Sequence, residues 1–288
     1  MVKEIGFMGL GTVGRHMAIN LLKGNYNLTV YDRQPDAVAD LVRLGAKEAQ
    51  TLHDVASNKD MVIIILPERQ ETEEMLSGDR AFLDALEPGT ILVDMGTHSL
   101  EVTLELDKAA KERKALFLEA PVWGTKEHAA NGLLTILAGG DETLLGRCHE
   151  PFSLLGLHII HVGDVGDATR MKFVANVVQA ELMQALAEGL TLGEKLGFSP
   201  EKIIEVLDSG GAASPLFNAK ARSIARGNFS RNLALKYVYE GLQLAREAGE
   251  KEGLKLPAAD AVSQIYSQAL EQGLGEEDFS AVIKVLRK

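Results

Sequence analysis

The stretch GDATRMKFVAN, Gly166–Asn176, carries one lysine, Lys172, between Met171 and Phe173, with Asn176 four residues on. Residues at i and i+4 share a helix face, so an ammonium and a carboxamide at this spacing reach the same small volume. A lone lysine on a helix is ordinarily a solvated surface charge. In a partly buried wall the same group has its pKa drawn down toward working pH, and it then serves as proton donor or acceptor. An amide neighbour can orient the lysine or a substrate through a neutral hydrogen bond without trapping the lysine in an ion pair. Val178 and Gln179, further along, add no charged stripe.

A second chemistry-bearing stretch lies near the start. Gly9-Leu10-Gly11-Thr12-Val13-Gly14 matches G-x-G-x-x-G, follows the apolar run EIGFMGL and opens a helical pattern. Asp32 ends the next strand pattern, 18 residues beyond Gly14. This is the context of a dinucleotide site. The first glycine permits the tight turn, the second the approach of backbone to pyrophosphate, and the third close helix packing. Free N–H groups at the helix start face the phosphates. A carboxylate at Asp32 suits a ribose diol and repels a 2′-phosphate, so NAD is favoured over NADP, with Arg33 placed to meet adenine or a phosphate. Leu66 and Pro67, closing the run MVIIILP, are further expected cofactor contacts.

These residues need a frame. Strand-length apolar runs at 4–10, 27–32, 61–67, 90–95 and 115–121 alternate with amphipathic helical stretches, and runs at 134–140 and 157–163 extend the series. Near-continuous apolar strands separated by helices indicate a doubly wound, mostly parallel sheet covered on both faces, an α/β Rossmann domain. After Gly166 the pattern becomes all-helical. A long helix is expected over about 167–196, then helices near 201–208, 215–226, 233–252 and 257–272, with Ser199-Pro200 and Ser214-Pro215 as helix starts. The expected division is 1–163 for dinucleotide binding and 164–288 for substrate binding and oligomerisation.

Composition removes several classes. A net charge of −11 with no dense basic run argues against nucleic acid or an anionic membrane as partner. One cysteine, Cys148, excludes a disulfide framework, and no Cys/His or H-E-x-x-H spacing offers a metal site. No apolar run approaches the ~20 residues of a membrane-spanning helix, and the N-terminus reads directly as a strand. A cytoplasmic protein acting on a small molecule is expected.

Four spaced motifs together resemble the β-hydroxyacid dehydrogenases, a family that includes 3-hydroxyisobutyrate dehydrogenase, tartronate semialdehyde reductase and the glyoxylate/succinic semialdehyde reductases. They are FMGLGTVG, VDMGTHS (93–99), EAPVWGTKEHAANGLLTILAGGD (119–141) and VGDVGDATRMKFVAN. The resemblance implies a Rossmann domain, a long connecting helix, a helical C-terminal domain and an active site between the domains. It also implies a homodimer or homotetramer. It places Lys172 on the catalytic lysine and Asn176 on its asparagine, Thr97 beside the cofactor, and Trp123, Gly124 and Thr125 in the substrate segment. The implied reaction interconverts a small 3-hydroxy or 4-hydroxy acid with its aldehyde or semialdehyde.

The chain departs from the family pattern at telling places. Gly96 replaces the usual serine before Thr97. Trp123 stands for serine, and Thr125 for the last glycine of the substrate segment. Glu240-Gly241 falls where Lys-Asp is expected, leaving Lys236 as a nearby cation and Glu240 as a charge reversal. The residues leave two other readings open. One is an imine or iminium reductase selected by Glu240, which Lys172 speaks against. The other is a non-catalytic dinucleotide-binding module. His98, next to Thr97, is a minor candidate for the pocket lining.

Overall fold

The computed structural model describes residues 2–66 and 81–287. Pro67 lies outside the described residues. The strands are β1 (Glu4–Met8), β2 (Asn27–Tyr31), β3 (Lys47–Glu48), β4 (Met61–Ile64), β5 (Ile91–Asp94), β6 (Leu116–Glu119), β7 (Val122–Trp123), β8 (Leu134–Gly139) and β9 (Gly156–Gly163). Among the described residues they form one sheet in the order β3-β2-β1-β4-β5-β6-β8-β7, with β9 also paired to β8. Pairing is parallel from β3 through to β6, antiparallel where β8 meets β6 and β7, and parallel again between β8 and β9.

The apolar runs are continuous because both sheet faces are covered. Ile5, Phe7, Met61, Ile63, Ile91 and Val93 pack on one side with Met17, Leu21 and Leu41 from the helices Gly14–Lys23 and Pro35–Val42. Their alternates Met8, Val62, Ile64 and Leu92 pack on the other with Val55, Val102 and Leu106. The strand order reverses at β1, which lies between β2 and β4, so the loop after β1 opens at the crevice where doubly wound sheets bind their ligands. Two strands carried no sequence signal. β3 is two exposed charged residues, and β7 is two residues inside the substrate segment.

The chain forms two compact units, Met1–Lys172 and Phe173–Lys288. The division falls inside the helix Asp167–Lys195. The second unit is helical, with Pro200–Ser209, Pro215–Ala225, Leu235–Lys251 and Pro257–Glu271. Ser199 and Ser214 cap the first two through Lys202 N and Phe217 N, each with proline at the first helical position. Its core includes Met183, Leu186, Leu190, Leu235, Leu242 and Tyr266. No helix among the described residues is long and apolar enough to cross a membrane.

Candidate active site

The glycine-rich loop is built as its spacing requires. Gly9 adopts φ +97°, and a Cβ there would lie 2.2 Å from the Ile65 carbonyl oxygen; at Gly14 it would lie 2.0 Å from the Gly9 carbonyl oxygen. At Gly11 it would meet nothing within 4 Å among the described residues, which leaves the backbone there open to a close approach. The helix Gly14–Lys23 has no side-chain cap and no acidic residue in its first turn, which leaves its N–H groups and positive dipole end to an anion. These features fit a bound dinucleotide.

Asp32 is held by two backbone N–H groups. One carboxylate oxygen accepts from Leu10 N at 2.6 Å and the other from Gln34 N at 2.8 Å. It therefore ties the loop after β1 to the loop after β2. Each carboxylate oxygen keeps a second lone pair, enough for a diol. Arg33 is exposed beside it, Leu10 and Leu66 are buried, and Thr12 and Val13 are half-buried.

Gly96 has a local explanation. The His98 ring folds back so that a Cβ on residue 96 would lie 2.4 Å from His98 Nε2. His98 is buried, with Nε2 3.3 Å from Asp94 Oδ1, and Gly96 N donates to that same oxygen at 3.0 Å. His98 thus occupies the space a serine side chain at residue 96 would need. Thr97, between them, is half-buried.

In the substrate segment, Trp123 is 38% exposed and pairs through its backbone with Thr135 of β8. Thr125 starts the short helix Lys126–Ala130; its N–H donates to His128 Nδ1 at 3.2 Å, and its hydroxyl lies 2.9 Å from the same nitrogen. That N–H is therefore engaged within the segment. Gly124 keeps its extended, positive-φ backbone against Leu134 and His128.

Lys172 reaches this segment directly. Its Nζ donates to the Val122 carbonyl oxygen at 2.7 Å, the side chain is only 8% exposed, and burial pulls its pKa down to about 8. The lysine is thus held by a neutral acceptor in surroundings that place its proton near physiological pH. Asn176 lies one turn further along the same helix and is buried. Within the second unit, a Cβ on Gly241 would sit 2.5 Å from Asn176 Nδ2. The departure to glycine at 241 therefore lets Asn176 pack flat against the helix Leu235–Lys251. Lys236, on that helix, pairs with Glu276 at 2.9 Å, and Glu240 is exposed. Lys236 therefore already has a carboxylate and is a weaker candidate for a substrate anion than its spacing implied.

One residue escaped the sequence reading. Glu119, the last residue of β6, is buried and accepts four hydrogen bonds from the start of the Lys172 helix. Burial pushes its carboxyl pKa up, against the downward pull of those donors. Its signal was the acidic residue opening EAPVWGT, whose role no spacing argument supplies.

A Rossmann sheet with this loop, joined to a helical unit through a lysine-bearing helix, defines a nicotinamide-dependent dehydrogenase. Residues 4–163 match the model of the NAD-binding domain of 6-phosphogluconate dehydrogenase, and 166–286 match that of the NAD-binding domain of NADP-dependent 3-hydroxyisobutyrate dehydrogenase. The chain is 31% identical over 284 residues to glyoxylate/succinic semialdehyde reductase 1 of Arabidopsis thaliana, covering 99% of this chain and 98% of that one. It is 36% identical over 283 residues to 2-(hydroxymethyl)glutarate dehydrogenase of Eubacterium barkeri, covering 98% and 94%. A solved structure of Mycobacterium tuberculosis 3-hydroxyisobutyrate dehydrogenase with L-serine superposes with TM-score 0.89 at 28% identity over the whole of both chains. The chain belongs to the β-hydroxyacid dehydrogenase family and is an NAD(P)-dependent oxidoreductase acting on CH–OH groups.

Proposed function

We propose that this enzyme interconverts a small 3-hydroxy acid, or a short 4-hydroxy acid, with its semialdehyde, with Lys172 as general acid/base and NAD preferred over NADP. The observation that carries the reading is the buried Lys172, held at 2.7 Å by the neutral Val122 carbonyl with a pKa near 8. The dinucleotide, held by Gly9–Gly14, Asp32, Arg33, Leu66 and Thr97, supplies or accepts hydride when bound. In reduction the Lys172 ammonium stabilises the charge developing on the carbonyl oxygen and gives it a proton; in oxidation the neutral amine takes the hydroxyl proton. Asn176 orients the substrate or the lysine through its amide. The substrate class is supported by the relatives, whose names specify short acids bearing a hydroxymethyl group or a semialdehyde. NAD is supported by the Asp32 side chain fixed at the end of β2 by two backbone N–H groups. The dinucleotide domain is taken as 1–163 and the substrate domain as 164–288. The cytoplasm is its proposed location, in keeping with a single, buried cysteine.

The half-exposed Trp123 indole replaces a small hydroxyl residue, so the preferred substrate is flatter or more apolar near its carboxylate than one recognised by serine. The test is absorbance-monitored oxidation of a panel of 3- and 4-hydroxy acids and matching non-acid alcohols, with NAD and NADP in parallel. Turnover of an acid, faster with NAD, is the expected result. Turnover of alcohols alone, or of none with cofactor binding intact, would sink the hydroxy-acid reading.

We also propose that copies associate through the helix Asp167–Lys195. Val174, Val178, Leu182 and Leu192 are all exposed on it and fall within an arc of ~80° at 100° per residue. Light scattering should give a dimer or tetramer for the wild type. Val178→Glu combined with Leu182→Glu should shift the population toward monomer, whereas a monomeric wild type at micromolar concentration contradicts the assignment.

A further inference from the structure

We infer that Glu119 is a positioning residue for the general acid/base: its carboxylate pins the first turn of the Lys172 helix to β6 and so fixes the ammonium against the Val122 carbonyl. The inference rests on the reading of Lys172 given above. Gly166, the residue before the helix, has no side chain with which to cap the first turn, and a carboxylate from a distant strand does so instead. One Glu119 oxygen accepts from Gly166 N at 2.5 Å and Ala168 N at 2.9 Å. The other accepts from Thr169 N at 3.1 Å and from the Thr169 hydroxyl at 2.5 Å. Four donors converge on one carboxyl group at the positive end of a 29-residue helix, where the unsatisfied N–H groups of the first turn call for an acceptor.

The clamp has two ends of matching register. Glu119 meets Thr169, and three residues on along both segments Val122 meets Lys172, each pair 50 apart in sequence. Ala120-Pro121 is the only link between the strand-side anchors, and proline fixes its own φ, so little slack separates them. The lysine is therefore registered by a connection that Glu119 closes.

Two neighbours show that the site is built around this carboxylate. Gly139 of β8 lies opposite Glu119, and a Cβ there would fall 2.2 Å from the Glu119 Oε1. A side chain at 139 is excluded by the space the carboxylate occupies. Thr103 of the helix Leu100–Glu112 lies 3.0 Å from the Thr169 hydroxyl. Thr169 donates to Glu119, and the Thr103 hydroxyl beside it also lies 3.4 Å from the Ser99 carbonyl oxygen, so the chain of polar contacts extends to the helix that follows Thr97–Ser99.

A purely structural cap would affect stability and leave the lysine's surroundings alone once the protein folds. A positioning residue controls how buried the ammonium is, and burial is what depresses its pKa. The test is a pH titration of the full-length chain carrying 13Cε-labelled lysine, with the Lys172 resonance assigned by its loss in Lys172→Arg. In Glu119→Gln the amide nitrogen turns a donor toward the Thr169 donors, so the first turn should loosen. The Lys172 pKa should then rise by one unit or more from about 8 toward the ordinary lysine value, with circular dichroism retained. Glu119→Asp should fall between the two. If Glu119→Gln does not fold, Thr169→Val removes one donor at far smaller cost and should move the pKa in the same direction. An unchanged Lys172 titration in a folded variant overturns the inference. Failure of the Lys172 reading would instead show as turnover insensitive to Lys172→Ala, a separate measurement that this titration does not depend on.

Discussion

Replacing Lys172 with alanine should lower kcat/KM for hydroxy-acid oxidation by roughly 10²–10⁴-fold, the range typical of a removed general acid/base, while dinucleotide affinity stays within a few-fold. The wild-type pH profile should carry the same group. Oxidation needs the neutral amine, so its kcat/KM should climb through about pH 8 and level off above it; reduction needs the ammonium and should decline through the same range. A residual rate in Lys172→Ala that no longer titrates there would tie the limb to this side chain. An unchanged limb in the variant would remove the lysine from the mechanism. Stability gives an independent check with the sign fixed by linkage. The folded pKa near 8 lies below the ordinary 10.5, so the folded state holds its ammonium at a cost below pH 8. That cost fades as pH rises from 8 to 10.5, where the unfolded chain binds the extra proton. Lys172→Met should therefore be more stable than wild type at pH 7, by up to on the order of 3 kcal/mol, and the gap should close toward pH 10.5.

Much of this arrangement is legible in the residues because it rests on periodicity and punctuation. The seven apolar runs became strands, and the serine-proline pairs at 199–200 and 214–215 start helices, because both signals are local. The glycine loop is legible for the same reason: Gly9 and Gly14 answer to backbone within the same βα unit or the adjoining β4 end. What could not be read are pairings between residues far apart in sequence. Glu119 and the start of the Lys172 helix are 47 to 50 residues apart, and nothing in either stretch names the other. The family departures illustrate the same limit. Gly96 looks like a lost hydroxyl until His98 is found in its place, and Gly241 looks like a lost carboxylate until Asn176 is found packed on it. In both cases the glycine leaves room for a side chain that a Cβ would displace. Lys236 shows the same limit: the sequence marks a nearby cation, and its pairing with Glu276, 40 residues on, is visible only in the fold.

Asp278→Ala should destabilise the helical unit by roughly 3–5 kcal/mol, the largest stability effect expected of a single substitution here, because it would strand a buried ammonium. Lys220 Nζ lies 2.8 and 2.7 Å from the two Asp278 oxygens, and both side chains are buried. Asp278 also accepts from Asn232 N, Leu233 N, Ser280 N and the Ser280 hydroxyl. Lys220→Met should cost less, since Asp278 keeps those four donors. The double variant should recover little, because the three backbone N–H groups still lose their acceptor, unlike a simple buried ion pair replaced by apolar residues. Chemical denaturation of the three variants measures all of this, and a double variant as stable as wild type would refute the network argument. The network also bears on the site. The segment it ties, Phe229 to Ala234, leads into the helix Leu235–Lys251, and Asp278 N and Leu235 N bond across the same junction to Phe229 O and Glu277 O. That helix carries Gly241, the seat of Asn176. In Lys220→Met, folded but loosened at this junction, KM for the hydroxy acid should rise several-fold while the pH at which Lys172 titrates stays where it was. The asparagine would lose its fixed backing, and the lysine, anchored to Val122 in the other unit, would not.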